Sequence, residues 1–158
     1  MEEGHSTGLP DLTVADVMSF PLITIEAEVT LAEARDLLAE YHCHHLVVTN
    51  RGTPVAIVSD RDIMRSISPF LGTIGEQPRD AHTLLRPVMQ VATYRPITVH
   101  RTASIYEAAA ILLERGISCL PVIDNTGGII GIVTSSDLMR GMLSCSLPQQ
   151  GPTLADVA

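Results

Sequence analysis

Two groups able to bind a ribose diol, a hydroxyl and a carboxylate, stand close together at Thr134 and Asp137. They follow the apolar run Gly131–Val133 and precede Leu138–Arg140, a pattern that predicts a strand leading directly into a helix. The start of a helix has free backbone N–H groups and the positive end of its dipole, so polar or anionic ligands are stabilised there. The same two residues also match a capping box, which would satisfy those N–H groups internally. This stretch alone leaves both interpretations open.

The same construction occurs earlier in the chain. The apolar run Ala56–Val58 is followed by Ser59 and Asp62, with a helix predicted from Asp60 onward. Single capping boxes are common at helix starts and carry little functional information. The occurrence of this device twice, in matching surroundings, favours a ligand-binding role.

The repeat extends over nearly the whole chain. Thr30 and Glu33 form a predicted capping box that opens a helix, and Ser104 and Glu107 repeat it with an offset of 74 residues (104 − 30 = 74). An extra turn residue within Asn125–Gly128 makes the offset 75 for Thr134 and Asp137. Each copy is predicted to run strand, helix, strand, strand, helix.

These repeats define the predicted domain organisation. The polar start and the Pro/Gly-rich end indicate flexible termini, and a Gly-, Pro- and polar-rich stretch separates the copies. The predicted segments are a leader at 1–11, a first repeat at 12–68, a linker at 69–84, a second repeat at 85–145 and a tail at 146–158.

The composition is apolar for a chain of 158 residues, with 46% hydrophobic residues and a mean hydropathy of +0.26. No apolar run approaches the roughly 18 residues that a membrane span requires. The acidic start Met1–His5 lacks the regions of a signal peptide. We therefore expect no membrane partner and place the excess apolar surface in a subunit interface, which predicts a homodimer.

The formal net charge of −8 argues against a nucleic-acid partner, because phosphate binding requires a basic surface. The three cysteines, Cys43, Cys119 and Cys145, form no CxxC pair. This usage is typical of a reducing compartment, and we expect the cytoplasm.

The ordered set of motifs resembles the CBS domain, and two copies in tandem resemble a CBS pair, or Bateman module. The resemblance is carried by Pro21–Thr24, the Glu-Ala helix start at Glu33, Leu120–Asp124 and Gly131–Asp137. It covers residues 12–66 and 84–144 approximately. It implies an α/β (α+β) fold of two β-α-β-β-α repeats packed with pseudo-twofold symmetry, and a disc-shaped homodimer.

The first copy departs from the pattern at three places. Ala56 replaces a glycine, Val47 replaces a proline, and His44-His45 precede the second strand of the repeat. The departures leave the expected fold unchanged and fall on residues that line the ligand site of similar modules.

The resemblance also implies ligands and the residues that hold them. Similar modules bind AMP, ADP, ATP, S-adenosylmethionine or NAD, without any covalent cofactor, in two clefts to which both repeats contribute. The Ser/Thr and Asp of each turn would hold the ribose, and the two residues before the second strand would approach the phosphates. One cleft would use Ile132, Thr134, Ser136, Asp137, Ile23, His44 and His45, and the other Ile57, Ser59, Arg61, Asp62, Ile97, Ser118 and Cys119.

Other chemistry is less well supported. His42–His45 contains imidazoles and a thiol that suit zinc, but adjacent residues point in different directions and no second ligand cluster occurs. Ser135 and Ser136 have no His and Asp partners at a recognisable spacing, and no phosphate-binding loop with a lysine is present. We therefore expect neither a metal site nor catalytic residues.

The leading hypothesis is a non-enzymatic regulatory module that senses an adenine nucleotide. Nucleotide binding would favour one orientation of the two repeats. An unidentified regulated protein on a separate chain would bind that orientation preferentially. The alternative is a structural homodimer or adaptor that binds no nucleotide.

Overall fold

The computed structural model describes residues 11–146, which form two compact units. The first unit comprises Phe20–Ile97, and the second unit joins the residues up to Ser19 to those from Thr98 onward. The predicted flexible leader at 1–11 and flexible tail at 146–158 lie outside the described residues except for Asp11 and Ser146.

The first unit is a four-stranded sheet with two main helices. The chain begins with helix α1 (Val14–Val17), which belongs to the second unit. The elements of the first unit are β1 (Thr24–Glu26), α2 (Leu31–Glu40), β2 (His45–Asn50), β3 (Thr53–Ser59), α3 (Asp60–Ser66) and β4 (Thr93–Tyr94). Strand β1 is parallel to β2, β2 and β3 form an antiparallel hairpin, and β4 pairs with β3.

Local sequence explains these elements. Thr30 accepts a hydrogen bond from the backbone N–H of Glu33, as predicted, and α2 begins at the next residue. Arg51 and Gly52 both have positive φ, the conformation that a two-residue hairpin turn needs to match the strand twist. The strands β2 and β3 are continuously apolar because their central residues are buried, and the α2 stripe Leu31, Ala34 and Leu38 packs on them.

The second unit repeats the arrangement with a three-stranded sheet. Strand β5 is parallel to β6, and β6 and β7 form an antiparallel hairpin. Its elements after α1 are β5 (Val99–His100), α5 (Ile105–Arg115), β6 (Cys119–Ile123), β7 (Ile129–Thr134) and α6 (Ser135–Ser146). Its core contains Val14 from α1 together with Ile105, Leu120 and Val133.

Two short segments lie in the unit of the other repeat. Thr13 and Ser19 form bridges to Ser104 and Ile132, so the segment that opens the first repeat completes the second unit. In the first unit, Pro87 pairs with Thr30, and β4 pairs with β3. This pairing is crosswise: the first residues of each repeat lie in the unit that is formed mainly by the other repeat.

The linker between the repeats is ordered in the described chain. It contains a short helix, α4 (Pro78–His82), whose Asp80 is buried. The Asp80 carboxylate accepts hydrogen bonds from the Ser68 hydroxyl at 2.7 Å and the Gln77 N–H at 2.8 Å.

The helices within residues 11–146 are all too short or too polar to span a lipid bilayer.

The crosswise pairing explains why the repeats differ at one glycine. A Cβ on Gly131 would lie 2.9 Å from the carbonyl oxygen of Ser19 and 3.0 Å from the sulfur of Met18. The matching residue of the first repeat is Ala56, which is buried and pairs with Tyr94 of β4. The glycine is therefore required where the Ser19 backbone approaches, and a methyl group is accommodated at the other position.

We expect Gly131→Ala to lower the free energy of unfolding by about 1–3 kcal/mol, because the added methyl group meets a backbone carbonyl. Ala56→Gly is the matched control and should cost about 0.5–1 kcal/mol, the ordinary cost of a strand glycine. Urea denaturation of both variants measures these values. Equal stability of Gly131→Ala and the unmodified protein would contradict this account of the glycine.

Candidate functional site

The strand-to-helix turn of the second unit is closed by three hydrogen bonds. The Oδ2 atom of Asp137 accepts from the Thr134 N–H at 2.9 Å and from the Thr134 hydroxyl at 2.7 Å. The Asp137 N–H in turn donates to the Thr134 hydroxyl at 3.3 Å. The predicted hydroxyl–carboxylate pair is thus a complete capping box in the unliganded turn.

The second carboxylate oxygen of Asp137 has a different partner. Asp137 is buried, and its Oδ1 atom accepts from the Arg140 guanidinium at 3.1 Å. The Arg140 side chain is 75% exposed, so its charge compensates the carboxylate from the solvent side. The sequence analysis placed Arg140 in the helix but not in the site, although its spacing of one helical turn from Asp137 is the signal for such a pair.

The first unit contains the same turn. The Oδ2 atom of Asp62 accepts from the Ser59 N–H at 2.9 Å and the Ser59 hydroxyl at 2.7 Å, and the Asp62 N–H donates to that hydroxyl at 3.2 Å. Within the described chain no side chain pairs with Asp62 Oδ1. The two turns therefore share the capping geometry and differ in how the second oxygen is compensated.

This geometry is compatible with a sugar diol. An ionised carboxylate offers about four acceptor sites, and the capping box uses two of them, both on Oδ2. A ribose can add its hydroxyl donors to the remaining sites without breaking the helix start; about two remain on Asp62 and one on Asp137, where Arg140 already occupies a site on Oδ1. The capping and binding interpretations of these residues therefore do not exclude each other.

A histidine–aspartate pair lies next to the first-unit turn. His44 Nδ1 is 2.7 Å from Asp60 Oδ2, while the Asp60 N–H donates to the His44 carbonyl at 3.1 Å. The Arg61 N–H donates to the other oxygen of Asp60 at 2.7 Å. Burial raises the pKa of Asp60, but these hydrogen bonds outweigh it, and the net effect is a lowered pKa. Asp60 was not among the predicted site residues.

The next residue, His45, is in a different environment. It is half-buried at the start of β2 and lies opposite Ser59 in the strand register. Burial lowers the pKa of His45 and prevails over the opposing effect of the Asp60 carboxylate. His45 is therefore neutral at neutral pH. Burial also raises the pKa of the neighbouring Cys43 thiol, which keeps it protonated and unreactive.

The second unit has small residues at the corresponding positions. The Ser118 carbonyl accepts from the Ser135 N–H at 3.1 Å and from its hydroxyl at 3.3 Å. Cys119 lies opposite Thr134 in the strand register, as His45 lies opposite Ser59. This unit therefore builds the same turn without a histidine or a second acidic residue beside it.

The predicted site residues are divided between the two units. The sequence analysis divided the residues of each unit between two clefts, and that division stays a prediction because each unit is described by itself. The first unit contains Ile23, His44, His45, Ile57, Ser59, Arg61, Asp62 and Ile97, and the second contains Ser118, Cys119, Ile132, Thr134, Ser136 and Asp137.

Metal-binding geometry is absent from residues 11–146, where no three His, Cys, Asp or Glu side chains are placed to hold an ion. The His42–His45 stretch therefore contributes imidazoles to the turn region of the first unit without forming a metal cluster.

The family model of the CBS domain matches the chain twice, at residues 14–69 and 88–144. A CBS domain-containing protein of Dictyostelium discoideum is 35% identical over 128 residues, which cover 80% of this chain and 88% of that protein. The L-aspartate semialdehyde sulfurtransferase of Methanocaldococcus jannaschii is 29% identical over 132 residues, 83% of this chain. The chain spans only 23% of that enzyme's length.

Two solved structures are similar over 85% of this chain and 98% of theirs. The CBS domain pair of protein MJ0100, in complex with 5′-methylthioadenosine and S-adenosyl-L-methionine, has a TM-score of 0.70 and 25% identity. Arabidopsis thaliana CBSX2 in complex with AMP has a TM-score of 0.68 and 29% identity.

The lowered pKa of His45 predicts a pH dependence of stability. Below the ordinary histidine pKa of about 6.5, the unfolded chain accepts a proton that the folded chain resists. Stability should therefore decline as the pH falls from about 7.5 to 5.5, and His45→Gln should reduce this decline. Melting temperatures across that range measure it, with the exposed His82→Gln as control. Identical pH profiles for the two variants would refute the effect of burial.

Proposed function

Because the chain belongs to the CBS domain family and carries two such domains in tandem, we propose that it is a non-enzymatic regulatory module for adenosine-containing ligands. The preferred ligands are AMP, ADP and ATP, with S-adenosylmethionine and NAD as further members of the same class. The complexes of the similar CBSX2 and MJ0100 domain pairs with AMP and with S-adenosyl-L-methionine support this ligand class.

The observation that carries the proposal is the pair of capped turns at the strand-to-helix junctions. Both repeats place a hydroxyl 2.7 Å from an Asp oxygen at the start of a helix, in surroundings that otherwise differ. In each turn the aspartate would accept hydrogen bonds from the ribose hydroxyls, and the helix start would stabilise the ligand's negative charge.

The remaining roles follow the family pattern. Ile23 and Ile97 would lie near the adenine, together with Ile57 and Ile132, and the residues before the second strands would approach the phosphates. His44 and His45 would supply donors to phosphate in the cleft with Thr134 and Asp137, whereas Ser118 and Cys119 offer no positive charge in the cleft with Ser59 and Asp62. The two sites would therefore differ in their affinity for highly charged nucleotides.

Signalling would proceed by a shift of population. A ligand that interacts better with one arrangement of the repeats favours that arrangement in proportion to its differential affinity. The regulated protein, which is unidentified, would bind one arrangement preferentially. We place the module in the cytoplasm, where adenine nucleotides are abundant.

A structural adaptor is the competing function. It is favoured by the completeness of the capping boxes without any ligand, since each turn is stable as it stands. A thermal-shift screen with AMP, ADP, ATP, S-adenosylmethionine and NAD separates the two functions. Stabilisation by at least one ligand supports the sensor, and no stabilisation by any supports the adaptor.

We expect Asp137→Ala to weaken binding of the stabilising nucleotide by about ten- to a hundredfold, because the ribose loses a charged acceptor worth about 1.5–3 kcal/mol. Asp62→Ala should act likewise at the other turn. Isothermal titration calorimetry measures the affinities, and urea denaturation measures the accompanying loss of the helix cap, about 1 kcal/mol.

Glu33→Ala is the matched control for this experiment. Glu33 forms the same box with Thr30, with distances of 2.9 Å to its N–H and 2.8 Å to its hydroxyl, but at the start of α2 rather than at a proposed ligand turn. It should lower stability by a similar amount and leave nucleotide affinity unchanged. If Asp137→Ala behaves as Glu33→Ala does, the turn is a cap alone.

We also propose that the module is a homodimer. Leu113 on α5 and Met139 and Leu143 on α6 are 84%, 56% and 60% exposed, although α5 and α6 pack against each other. Large aliphatic side chains concentrated on adjacent helices are costly to leave in water and are typical of an interface.

Replacing this surface should dissociate the dimer. We expect Leu113→Glu combined with Leu143→Glu to convert the protein to a monomer at micromolar concentration, because carboxylates would have to be buried without partners. Leu85→Glu, at a similarly exposed site in the first unit, is the control and should leave the dimer intact. Sedimentation velocity measures the species, and a monomer in the unmodified protein would contradict the proposal.

A further inference from the structure

The two capped turns offer different numbers of free acceptor sites to a ligand. A carboxylate has about four such sites, and each capping box uses two of them on Oδ2. At Asp62 both sites of Oδ1 stay open within the described chain. At Asp137 the Arg140 guanidinium donates to Oδ1 at 3.1 Å, so one site is left. The two turns are therefore not equivalent acceptors for a sugar diol.

This difference does not come from the residue types, because both repeats carry an arginine at the same place. Arg65 corresponds to Arg140 (140 − 65 = 75), as Asp62 corresponds to Asp137 (137 − 62 = 75). Both arginines are exposed. Among residues 11–146, however, Arg140 pairs with its aspartate and Arg65 forms no ion pair with Asp62. The same two residue types therefore leave one carboxylate open and occupy the other.

Burial explains why only one of the two pairs forms. The Asp137 side chain is 7% exposed, so water hydrates little of its carboxylate and the protein must compensate the charge. Asp62 is half-buried, and water contributes more of its compensation. Removing one partner from a buried ion pair is strongly destabilising, whereas fully exposed pairs are weak. A neutral ribose hydroxyl cannot supply the positive charge of Arg140, so Arg140 keeps its place on Oδ1 when a ligand binds.

The number of open sites determines how many ribose hydroxyls each turn can accept. A ribose diol has two O–H donors. The Asp62 carboxylate can accept both of them on Oδ1, whereas the Asp137 carboxylate can accept one. At Asp137 the other hydroxyl has no acceptor on the carboxylate, so a ligand that lacks this hydroxyl loses no hydrogen bond there.

We propose that Arg140 sets the sugar specificity of the Asp137 turn. This turn recognises a single ribose hydroxyl and accepts adenosine ligands in which the other hydroxyl is absent, whereas the Asp62 turn requires the complete diol. Arg140 is a positioning residue, since it acts by occupying an acceptor site of Asp137 and not by touching the ligand. The inference rests on the proposed nucleotide function and adds a ligand class that distinguishes the two turns.

The probes are AMP, 2′-deoxy-AMP and 3′-deoxy-AMP, or the ATP series if AMP gives no thermal stabilisation. Asp137→Ala leaves Asp62 as the ribose acceptor, and calorimetry should then show both deoxy analogues binding about tenfold more weakly than the parent nucleotide, since each lacks one charge-assisted hydrogen bond. Asp62→Ala leaves Asp137. In that variant only one of the two analogues should be weakened, and the other should bind within about twofold of the parent nucleotide.

Arg140→Met in the Asp62→Ala chain tests the role of the arginine, because methionine keeps an aliphatic stem and removes the donors. It opens the second site on Oδ1, so both deoxy analogues should now bind about tenfold more weakly than the parent nucleotide. Arg65→Met in the Asp137→Ala chain is the matched control and should leave the pattern unchanged. The nucleotide and its analogues are compared within one variant, so a change in its stability does not alter their ratio.

Circular dichroism confirms that each variant is folded. If Asp62→Ala does not fold, Arg140→Met alone gives the same test against the unmodified chain, where one analogue should show a binding event as tight as the parent nucleotide and should lose it in the variant. Equal patterns at the two turns, or an unchanged pattern in Arg140→Met, would overturn this inference and leave the proposed function standing. Absence of binding by both AMP and ATP would overturn the two together.

Discussion

In both repeats, an aspartate at the start of a helix accepts two hydrogen bonds from the last residue of the preceding strand. This interaction sets the angle at which the strand leads into the helix, because it fixes the backbone of the junction between the two. In the second unit the carboxylate of Asp137 is buried, so it must be fully compensated, and Thr134 and Arg140 together do this. The sheet and the helices that pack on it depend on this junction, and so does the proposed ribose site.

The two units show how one fold tolerates different chemistry. Gly131 is required where the Ser19 backbone approaches, whereas the matching Ala56 lies beside a different segment. His44 and Asp60 form a close pair in the first unit, and Ser118 and Ser135 take their places in the second. Backbone hydrogen bonds and the apolar core are conserved between the units, so the side chains around the turns are free to differ.

Crosswise pairing of the short segments also affects how the repeats depend on each other. Val14 is buried in the core of the second unit, although it belongs to the first repeat. In the same way, Val88 is buried in the core of the first unit, although it belongs to the second repeat. The core of each unit therefore contains residues from both repeats.

Much of the fold could be predicted because the signals are local. The capping boxes at Thr30 and Ser59 and the hairpin turn at Gly52 depend on residues within four positions of each other. The CBS family was likewise indicated by an ordered set of short motifs. The pairing of His44 with Asp60 was missed, since it joins residues separated by a whole hairpin.

The sequence by itself determined the repeat, the strand and helix order within it and the hydroxyl–carboxylate turns, because each rests on spacing along the chain. Only the tertiary structure decided which unit Ser19 and Val88 join, because sheet edges and apolar cores are completed by whichever segment reaches them.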